Sequence, residues 1–318
     1  MGNFDFSVVV CCYNSDYEKL KKTLISIIKQ KEVSCEIIIS DDGSKDRSVE
    51  RIRSWVTEHD IKNVKYNFLP ENGGTVKNIY SAVKIANGKF IKTISPGDYL
   101  FDEFSLKQYL QKFKRDDYKL VFAKAVYYTQ DRKILKFHNP VACGTKSKLF
   151  MKKNLCTFFD CFLGATFACQ REYILPYLQE LVGVVRLVED FPLTFLTLIN
   201  NQKVGFVNKN LVWYESDTGV SRVNGGSKIE SEYFNFFDYI EKKYQNNKKV
   251  QGYIKFLRLL KTENKYKVLL KSLFCKPSYC FYFVDKCVTR LRRKFLYLFD
   301  KTNLSTMDKI TTLSVKEI

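Results

Sequence analysis

Three short polar segments carry the side chains best suited to bind or transform a ligand. They are Cys11-Cys12-Tyr13-Asn14, Asp41-Asp42-Gly43-Ser44-Lys45-Asp46 and Ser95-Pro96-Gly97-Asp98. Asp41 and Asp42 are adjacent charges that repel each other, and such a pair in a crevice often serves a ligand. A carboxylate placed there can accept a hydrogen bond from the N3–H of uracil or thymine. The alternative is a turn, because Asp-Gly favours turns and Ser44 or Asp46 can cap a following helix.

The scarcity of histidine limits the chemistry that these segments can perform. The sequence contains two histidines, His59 and His138, and neither lies in a recognisable motif. Acid and base chemistry is therefore expected to fall to carboxylates. The ten cysteines lack the paired spacing of a zinc site, and residues 1–7 do not resemble a signal peptide. We expect reduced thiols, no structural zinc and a cytoplasmic location.

The three segments must be positioned by the elements that precede them. Continuous apolar runs over residues 6–12 and 36–40 predict strands that are covered on both faces, and residues 64–69 and 90–94 predict two further strands of a repeated βα pattern. Helical spacing of apolar residues within 20–28, after Asp46 and within 72–86 predicts the connecting helices. The expected fold class is α/β with a mainly parallel sheet. A ligand site would then lie at the carboxyl ends of the strands, where the polar segments follow.

The later sequence is more varied and ends in a change of composition. Residues 120–128, 164–169, 204–207 and 211–214 predict strands, and residues 190–200 predict a helix. Gly225-Gly226-Ser227 interrupts this pattern, and lysine, tyrosine and phenylalanine dominate from Glu230 onward. We predict one α/β domain over 1–226, made of halves 1–100 and 101–226, and a helical basic extension over 227–318.

In order and spacing, the motifs of the first domain resemble family 2 glycosyltransferases with the GT-A fold. The segments that carry the resemblance are residues 7–14, 26–30, 36–46, 72–78, 86–91 and 95–98, within a similar region of roughly 5–222. Each motif is weak alone, but their common order is specific. The resemblance implies transfer of a sugar, such as a hexose, from a nucleoside diphosphate donor to an acceptor hydroxyl. A uridine carrier is the first expectation and a thymidine carrier the second.

The resemblance implies nucleotide binding by residues from three loops. They are Cys11, Tyr13, Asn14, Asp41, Asp42, Gly73, Gly74 and Asn78. The loop around Tyr13 would contact the base, with Asp42 as its carboxylate partner and Asp41 assisting or orienting it. The two glycines would allow the backbone to approach the ribose and diphosphate closely. A glycine turn before a capped helix is the alternative interpretation of that segment.

The sequence departs from the family at the metal-binding motif, which is usually Asp-x-Asp. Ser95-Pro96-Gly97-Asp98 retains one carboxylate in this stretch. We predict that Asp98 binds Mg²⁺ or Mn²⁺, with Ser95 in the place of a usual ligand. Lysine or arginine side chains are the alternative means of neutralising the leaving diphosphate.

The resemblance also identifies an acidic pair, Glu189-Asp190, as the start of the catalytic helix. Asp190 would be the general base that deprotonates the acceptor hydroxyl, with Glu189 beside it, and a single base implies inversion at the anomeric carbon. Acidic residues are also common in the first turn of a helix, which is the structural alternative. Arg222, in the loop that would close the site, either meets the diphosphate or is a surface charge.

The basic extension suggests a partner. The chain carries a formal net charge of +19, and residues 253–301 contain 13 basic against three acidic side chains. Interleaved apolar residues predict amphipathic helices on an anionic membrane, at the inner face of the cell membrane. A lipid-linked saccharide of bacterial surface polysaccharide assembly would then be the acceptor. The alternatives are a helical hairpin packed on the first domain and a contact between copies of the chain.

Two other functions compete with sugar transfer. A nucleic-acid-binding protein would explain the charge, but no recognised nucleic-acid-binding motif is present, so no nucleic acid is expected as partner. A catalytically silent nucleotide-binding module would explain the reduced metal motif.

Overall fold

A mixed eight-stranded sheet forms the centre of the part of the chain that the structure describes. The computed structural model describes residues 4–46, 48–135, 163–216, 225–275 and 302–313, with Cys280, Phe283, Val284 and Cys287. The strands are β1 (Phe4–Cys12), β2 (Cys35–Asp41), β3 (Val64–Phe68), β4 (Gly88–Ile94), β5 (Tyr99–Leu100), β6 (Tyr118–Tyr128), β7 (Ala168–Gln170) and β8 (Lys203–Glu215). The helices are α1 (Tyr17–Ile28), α2 (Ser48–Glu58), α3 (Thr75–Ile85), α4 (Ser105–Arg115), α5 (Arg171–Leu181), α6 (Asp190–Ile199), α7 (Gly225–Lys243), α8 (Lys248–Thr262), α9 (Lys265–Cys275) and α10 (Leu304–Thr311).

The strand order is β3-β2-β1-β4-β7-β6-β8-β5. Strands β1 to β4 pair in parallel, as do β6 and β8, whereas β7 runs antiparallel to both β4 and β6. The register places Cys12 opposite Asp41 and Val10 opposite Ile94. The carboxyl ends of the three central strands therefore lie side by side, and the predicted α/β class with a largely parallel sheet is confirmed.

The local sequence explains why the first elements form. Strands β1 and β2 are buried on both faces, which matches their continuous apolar runs. Helix α1 starts where the Asp16 carboxylate accepts the Lys19 N–H at 2.9 Å. The Asp46 carboxylate likewise accepts the Ser48 N–H at 3.0 Å at the start of α2. Both carboxylates stabilise helices that cover the sheet.

Two predicted boundaries differ from the structure. Residues 204–207 and 211–214 belong to the single strand β8, because a ladder irregularity accommodates the exposed Asn208 and Lys209 between them. The strand predicted over 164–169 begins as a 3₁₀ turn, Gly164–Thr166, before β7. The carbonyl groups of Ala165 and Thr166 in this turn accept hydrogen bonds from the buried Lys92 and Tyr109 side chains instead of from a neighbouring strand.

The helices that follow residue 225 share the core of the preceding α/β region. Phe236, Phe237 and Ile240 of α7 and Ile254 and Leu257 of α8 lie in one buried cluster with residues of α3, α5 and α6. Helix α10 packs against the end of the sheet near β5. The composition changes near residue 226, but the core continues across that point. Among the described helices, none has the length and apolar character needed to cross a membrane.

Candidate functional site

A cavity of about 450 Å³ opens at the carboxyl ends of the parallel strands. Its walls include predicted site residues from every motif in the described part of the chain: Cys11, Tyr13, Asp42, Asn78, Ser95, Asp98, Glu189 and Asp190. Asn14, Asp41, Gly73 and Gly74 do not line it, and Arg222 lies outside the described residues. The strand ends therefore bring together residues that are far apart in sequence.

The loops after β1 and β2 are tied to each other at the rim of the cavity. The Asn14 N–H donates to the Ser44 hydroxyl at 2.7 Å, and the Asn14 side-chain oxygen accepts the Lys45 N–H at 3.0 Å. The Asp41 carboxylate accepts the Ser44 N–H at 2.8 Å. Asn14 and Asp41 thus shape the rim, and Tyr13 is left 49% exposed there. An exposed aromatic ring at a rim offers a surface on which a nucleobase can stack.

Asp42 fixes the loop before α3. Its two carboxylate oxygens accept the Gly73 N–H at 2.7 Å and the Gly74 N–H at 2.9 Å. Burial raises the pKa of Asp42, while these two hydrogen bonds oppose the rise. Each oxygen keeps a further lone pair, so the carboxylate can still accept a bond from a ligand in the cavity.

The same loop requires glycine at one position. Gly74 has φ +89°, and a Cβ there would lie 2.2 Å from Cγ and 2.7 Å from the carbonyl oxygen of Arg186. Behind the loop, the Asn78 amide is engaged with Ser40 of β2, donating to its carbonyl at 3.1 Å. Thr75 and Asn78, in the first turns of α3, line the cavity. The start of a helix carries unpaired N–H groups and a positive partial charge, which together favour an anion.

Asp98 follows the carboxyl end of β4 and is almost fully buried. Its Oδ1 accepts the Glu215 N–H at 3.0 Å. Burial is the main cause that raises the pKa of Asp98 to about 7, and the Lys92 charge opposes it. The Glu215 carboxylate accepts from the Lys19 ammonium at 2.7 Å. Two buried carboxylates and one lysine thus form an acidic corner of the cavity.

The carboxylates of this corner could hold a metal ion only together with further ligands from a bound substrate. Within the described ranges, no group of three or more His, Cys, Asp or Glu side chains could hold a metal ion. Mg²⁺ in phosphate-transfer sites is usually held by one or two carboxylates together with substrate phosphates. A buried carboxylate with a raised pKa is also one that a cation would stabilise. Asp98 therefore fits a metal shared with a bound diphosphate.

Glu189 and Asp190 form a second acidic group, at the start of α6. The Asp190 carboxylate accepts the Phe191 N–H at 2.7 Å. Burial, followed by the Asp190 charge, raises the pKa of Glu189, and burial raises the pKa of Asp190. A carboxylate whose pKa lies closer to neutrality is a better proton acceptor. The pair can therefore act as a base on a hydroxyl that enters the cavity.

Several residues at the site were not predicted from the sequence. Ile229 and Tyr233 of α7 line the cavity, although they follow the predicted domain boundary. The Arg186 guanidinium donates to the Asn72 carbonyl at 2.8 Å, beside the glycine loop. Lys92 is fully buried in β4 beneath the site. Its position within the apolar strand 90–94 is a sequence signal that could have identified it, because lysine is rarely buried without a partner.

Sequence comparisons find one family. Residues 7–171, just over half of the chain, match the model of glycosyl transferase family 2. An uncharacterized glycosyltransferase of Haemophilus influenzae is 28% identical over 102 residues, a match that covers 32% of this chain and 40% of that protein. The chain thus matches less than half the length of that relative.

Structural comparisons find proteins in complex with nucleotides or nucleotide sugars. TarS 1–349 of S. aureus with UDP-GlcNAc has a TM-score of 0.57 at 17% identity, over 87% of this chain and 79% of that one. Its UDP complex has a TM-score of 0.52 at 18% identity, over 74% and 65%. The mannosyltransferase PcManGT of Pyrobaculum calidifontis, with GDP-Man and Mn²⁺, has a TM-score of 0.54 at 12% identity, over 94% and 88%. At these identities the similarity is one of fold, and the predicted GT-A fold is confirmed.

Proposed function

Because this chain belongs to glycosyl transferase family 2, we propose that it transfers a sugar from a nucleoside diphosphate donor to a saccharide hydroxyl, with inversion at the anomeric carbon. The observation that carries the proposal is the cavity in which Tyr13, Asp42, Asp98 and Asp190 all meet. The cavity combines an exposed aromatic ring on which a nucleobase can stack, the start of α3 where phosphates can bind, and the Glu189–Asp190 pair that can accept a proton. A nucleotide-sugar transferase needs all three.

The donor is proposed to be a UDP-sugar. Its base would stack on Tyr13 at the rim and donate to the Asp42 carboxylate, as expected from the sequence. Its diphosphate would lie at the start of α3, where Thr75 faces the cavity. Two of the similar structures contain UDP or UDP-GlcNAc, which supports uridine, whereas GDP-Man in the third makes a guanosine carrier the alternative.

A divalent cation is proposed to accompany the donor. GT-A glycosyltransferases commonly use one, and the PcManGT complex contains Mn²⁺. Asp98 would hold it together with the diphosphate oxygens. When bound, Mg²⁺ or Mn²⁺ would neutralise the charge that develops on the leaving diphosphate.

Asp190 is proposed to be the general base. Its carboxylate would take the proton of the acceptor hydroxyl while that oxygen bonds to the anomeric carbon and the bond from this carbon to the diphosphate oxygen breaks. Attack and departure on opposite faces invert the anomeric configuration. Burial, followed by the Asp190 charge, raises the pKa of Glu189, so Glu189 holds a proton more readily and Asp190 is left as the base of the pair.

The acceptor is proposed to be a lipid-linked saccharide, reached from the inner membrane surface. Helix α9 exposes Tyr266, Leu270 and Leu273, which are spaced along one side of the helix. Val268 and Ser272 of the same helix are buried. The apolar stripe lies on a strongly basic chain, a combination typical of proteins that bind anionic bilayers.

A screen of UDP-, dTDP- and GDP-sugars by thermal shift, with and without Mn²⁺, tests the donor assignment. A bound donor stabilises the folded chain according to its occupancy, so UDP-sugars should give the largest shift. The stabilising donors are then incubated with saccharide acceptors, and products are identified by mass and anomeric configuration. Binding without transfer would favour the silent nucleotide-binding module, and the absence of any shift would overturn the proposed function.

A further inference from the structure

Lys92 is a buried cation for which the proposed reaction has no direct use. It lies in the middle of β4, with Val8 of β1 and Ala168 of β7 as its neighbours across the ladders. Its side chain is fully buried. Burial is the main cause that lowers its pKa to about 8. A buried charge costs free energy that an apolar residue at this position would avoid, so a compensating role is expected.

The Lys92 ammonium holds one carbonyl of the turn Gly164–Thr166. It donates to the Ala165 carbonyl oxygen at 2.8 Å, and also to the carbonyl of Thr93. The next carbonyl of the turn, that of Thr166, accepts from the buried Tyr109 hydroxyl at 2.6 Å. Two buried donors from different elements thus fix two consecutive carbonyls of a three-residue turn.

This turn contacts the carboxylate of the acidic pair. A Cβ at Gly164 would lie 2.7 Å from Asp190 Oδ2, so the Gly164 backbone rests directly against the carboxylate. The Gly164 backbone also opposes the rise that burial causes in the pKa of Asp190. Leu163, Gly164 and Ala165 line the cavity. A continuous series of contacts therefore runs from the Lys92 ammonium through the turn to Asp190.

We propose that Lys92 is a positioning residue for sugar transfer, which fixes the turn Gly164–Thr166 against Asp190 and supplies a positive charge beneath the acidic cavity. This inference rests on the proposed function, since it assigns Lys92 to the same reaction. The titratable groups that interact with its charge come from four parts of the site. They are Asp98 after β4, Cys169 in β7, Cys11 in β1 and Glu189 before α6. Burial raises the pKa of both thiols, and the Lys92 charge opposes the rise that burial causes in the pKa of Glu189.

The test compares Lys92→Met with Lys89→Met, which makes the same change at an exposed position three residues earlier in β4. Tyr109→Phe removes the other donor to the turn without changing charge. Lys92→Met should lower kcat by up to about 100-fold, the scale for a small misplacement of a catalytic group, and leave UDP-sugar affinity within about twofold. Lys89→Met should match the wild type. Lys92→Gln replaces Lys92→Met if the latter does not fold.

The pH profile separates the charge from the hydrogen bond. Loss of the Lys92 charge should raise the pKa of Glu189 further, so a limb of the kcat profile that reports the Glu189–Asp190 pair should move to higher pH in Lys92→Met. It should stay in place in Tyr109→Phe, even if that variant is slower. Hydrogen exchange at the Thr166 and Phe167 amides should accelerate in Lys92→Met, because both amides are bonded within the turn.

The outcomes distinguish this inference from the proposed function. If the wild type transfers sugar and Lys92→Met keeps its kcat and pH profile, the positioning role is wrong. Equal hydrogen exchange in the two methionine variants would also overturn it, and this measurement needs no enzymatic activity. If the wild type transfers no sugar while the turn still loosens in Lys92→Met, the proposed function fails and the structural link from Lys92 to Asp190 stands.

Discussion

Carboxylates dominate the cavity, and each has a different local stabilisation. Asp42 is bonded by two backbone N–H groups, Glu215 by the Lys19 ammonium, and Asp98 by the Glu215 N–H. A donor diphosphate entering this cavity brings further negative charge. Its binding therefore depends on positive partners, namely the start of α3 and a cation at Asp98. Substitutions at single residues can separate the groups that act in the transfer reaction from those that bind the donor.

Asp190→Asn should lower turnover by about two to four orders of magnitude, the scale for losing a general base. Donor affinity should change little, because the assigned base and phosphate contacts involve other residues. Steady-state transfer assays and calorimetry with UDP provide the two measurements. Asp60→Asn is the matched control, since it makes the same change at an exposed carboxylate after α2. Near-normal turnover in Asp190→Asn would remove this residue from the mechanism.

Lys92 should make folding stability depend on pH in the alkaline range. Its pKa is lowered to about 8 in the folded chain, against about 10.4 for an exposed lysine. Between these values the unfolded chain binds more protons, so the wild type should gain stability relative to Lys92→Met as pH rises from about 8 to 10. The gain is at most about 1.4 kcal/mol per pH unit. Chemical denaturation of both proteins at several pH values tests it, and a constant difference would contradict the lowered pKa.

The elements that position the site were largely predictable, because the first half of the sheet is encoded locally. Strands covered on both faces require continuous apolar runs, and residues 6–12 and 36–40 have them. The polar segments that follow must then meet at one edge. Helix α5 was not predicted, because it contains Pro176 and proline usually interrupts a helix. The bounds of the short strand β7 were hard to predict, because its partners β4 and β6 are distant in sequence.

Residues that serve the site from a distance were harder to identify. The amphipathic pattern of α7 predicts a buried face but does not specify which surface covers it. Its phenylalanines pack near α6, and Tyr233 lines the cavity. Lys92 was missed for a related reason, because its partner Ala165 is 73 residues away. Tertiary contacts of this kind leave no periodic signal in a single sequence.

The loop before α3 gives an element-scale prediction with a matched pair of variants. Gly74→Ala should lower folding stability by about 1 to 3 kcal/mol, because the residue has a positive φ and its Cβ would clash with the Arg186 backbone. Gly73→Ala should have a much smaller effect, since its Cβ would meet the flexible Lys77 side chain. Denaturant midpoints of the two variants test this. Equal losses would show that the loop tolerates no side chain at either position.

At the scale of the whole molecule, the described helices that follow residue 225 are part of the folded body. Phe236, Ile254 and Leu257 are buried in the main core, and Met307 and Ile310 of α10 pack beside Tyr99 and Trp213. Deleting residues 250–318 would therefore expose core surface as well as remove charge. A membrane role must instead be tested by substitutions at the surface of the intact chain.

The last prediction tests the stripe of α9. Full-length protein should sediment with vesicles rich in anionic lipid at low salt, and added salt should weaken this binding because surface charges are screened beyond about 8 to 10 Å. Replacing Tyr266, Leu270 and Leu273 by serine should abolish sedimentation, since apolar insertion supplies the contact that charge attraction alone lacks. Transfer to a short soluble acceptor should persist, because these exposed residues do not line the cavity.

The matched control replaces Phe68 and Ile85, two exposed apolar residues of β3 and α3, by serine. It removes exposed apolar side chains from the first half of the chain, residues 1–100, so vesicle binding should remain. Failure of the wild type to sediment at low salt would reject the membrane as partner. Equal sedimentation of the triple variant and the wild type would retain the membrane but move its contact away from α9. In that case the net charge of +19 would account for attraction without insertion, and binding should disappear at high salt.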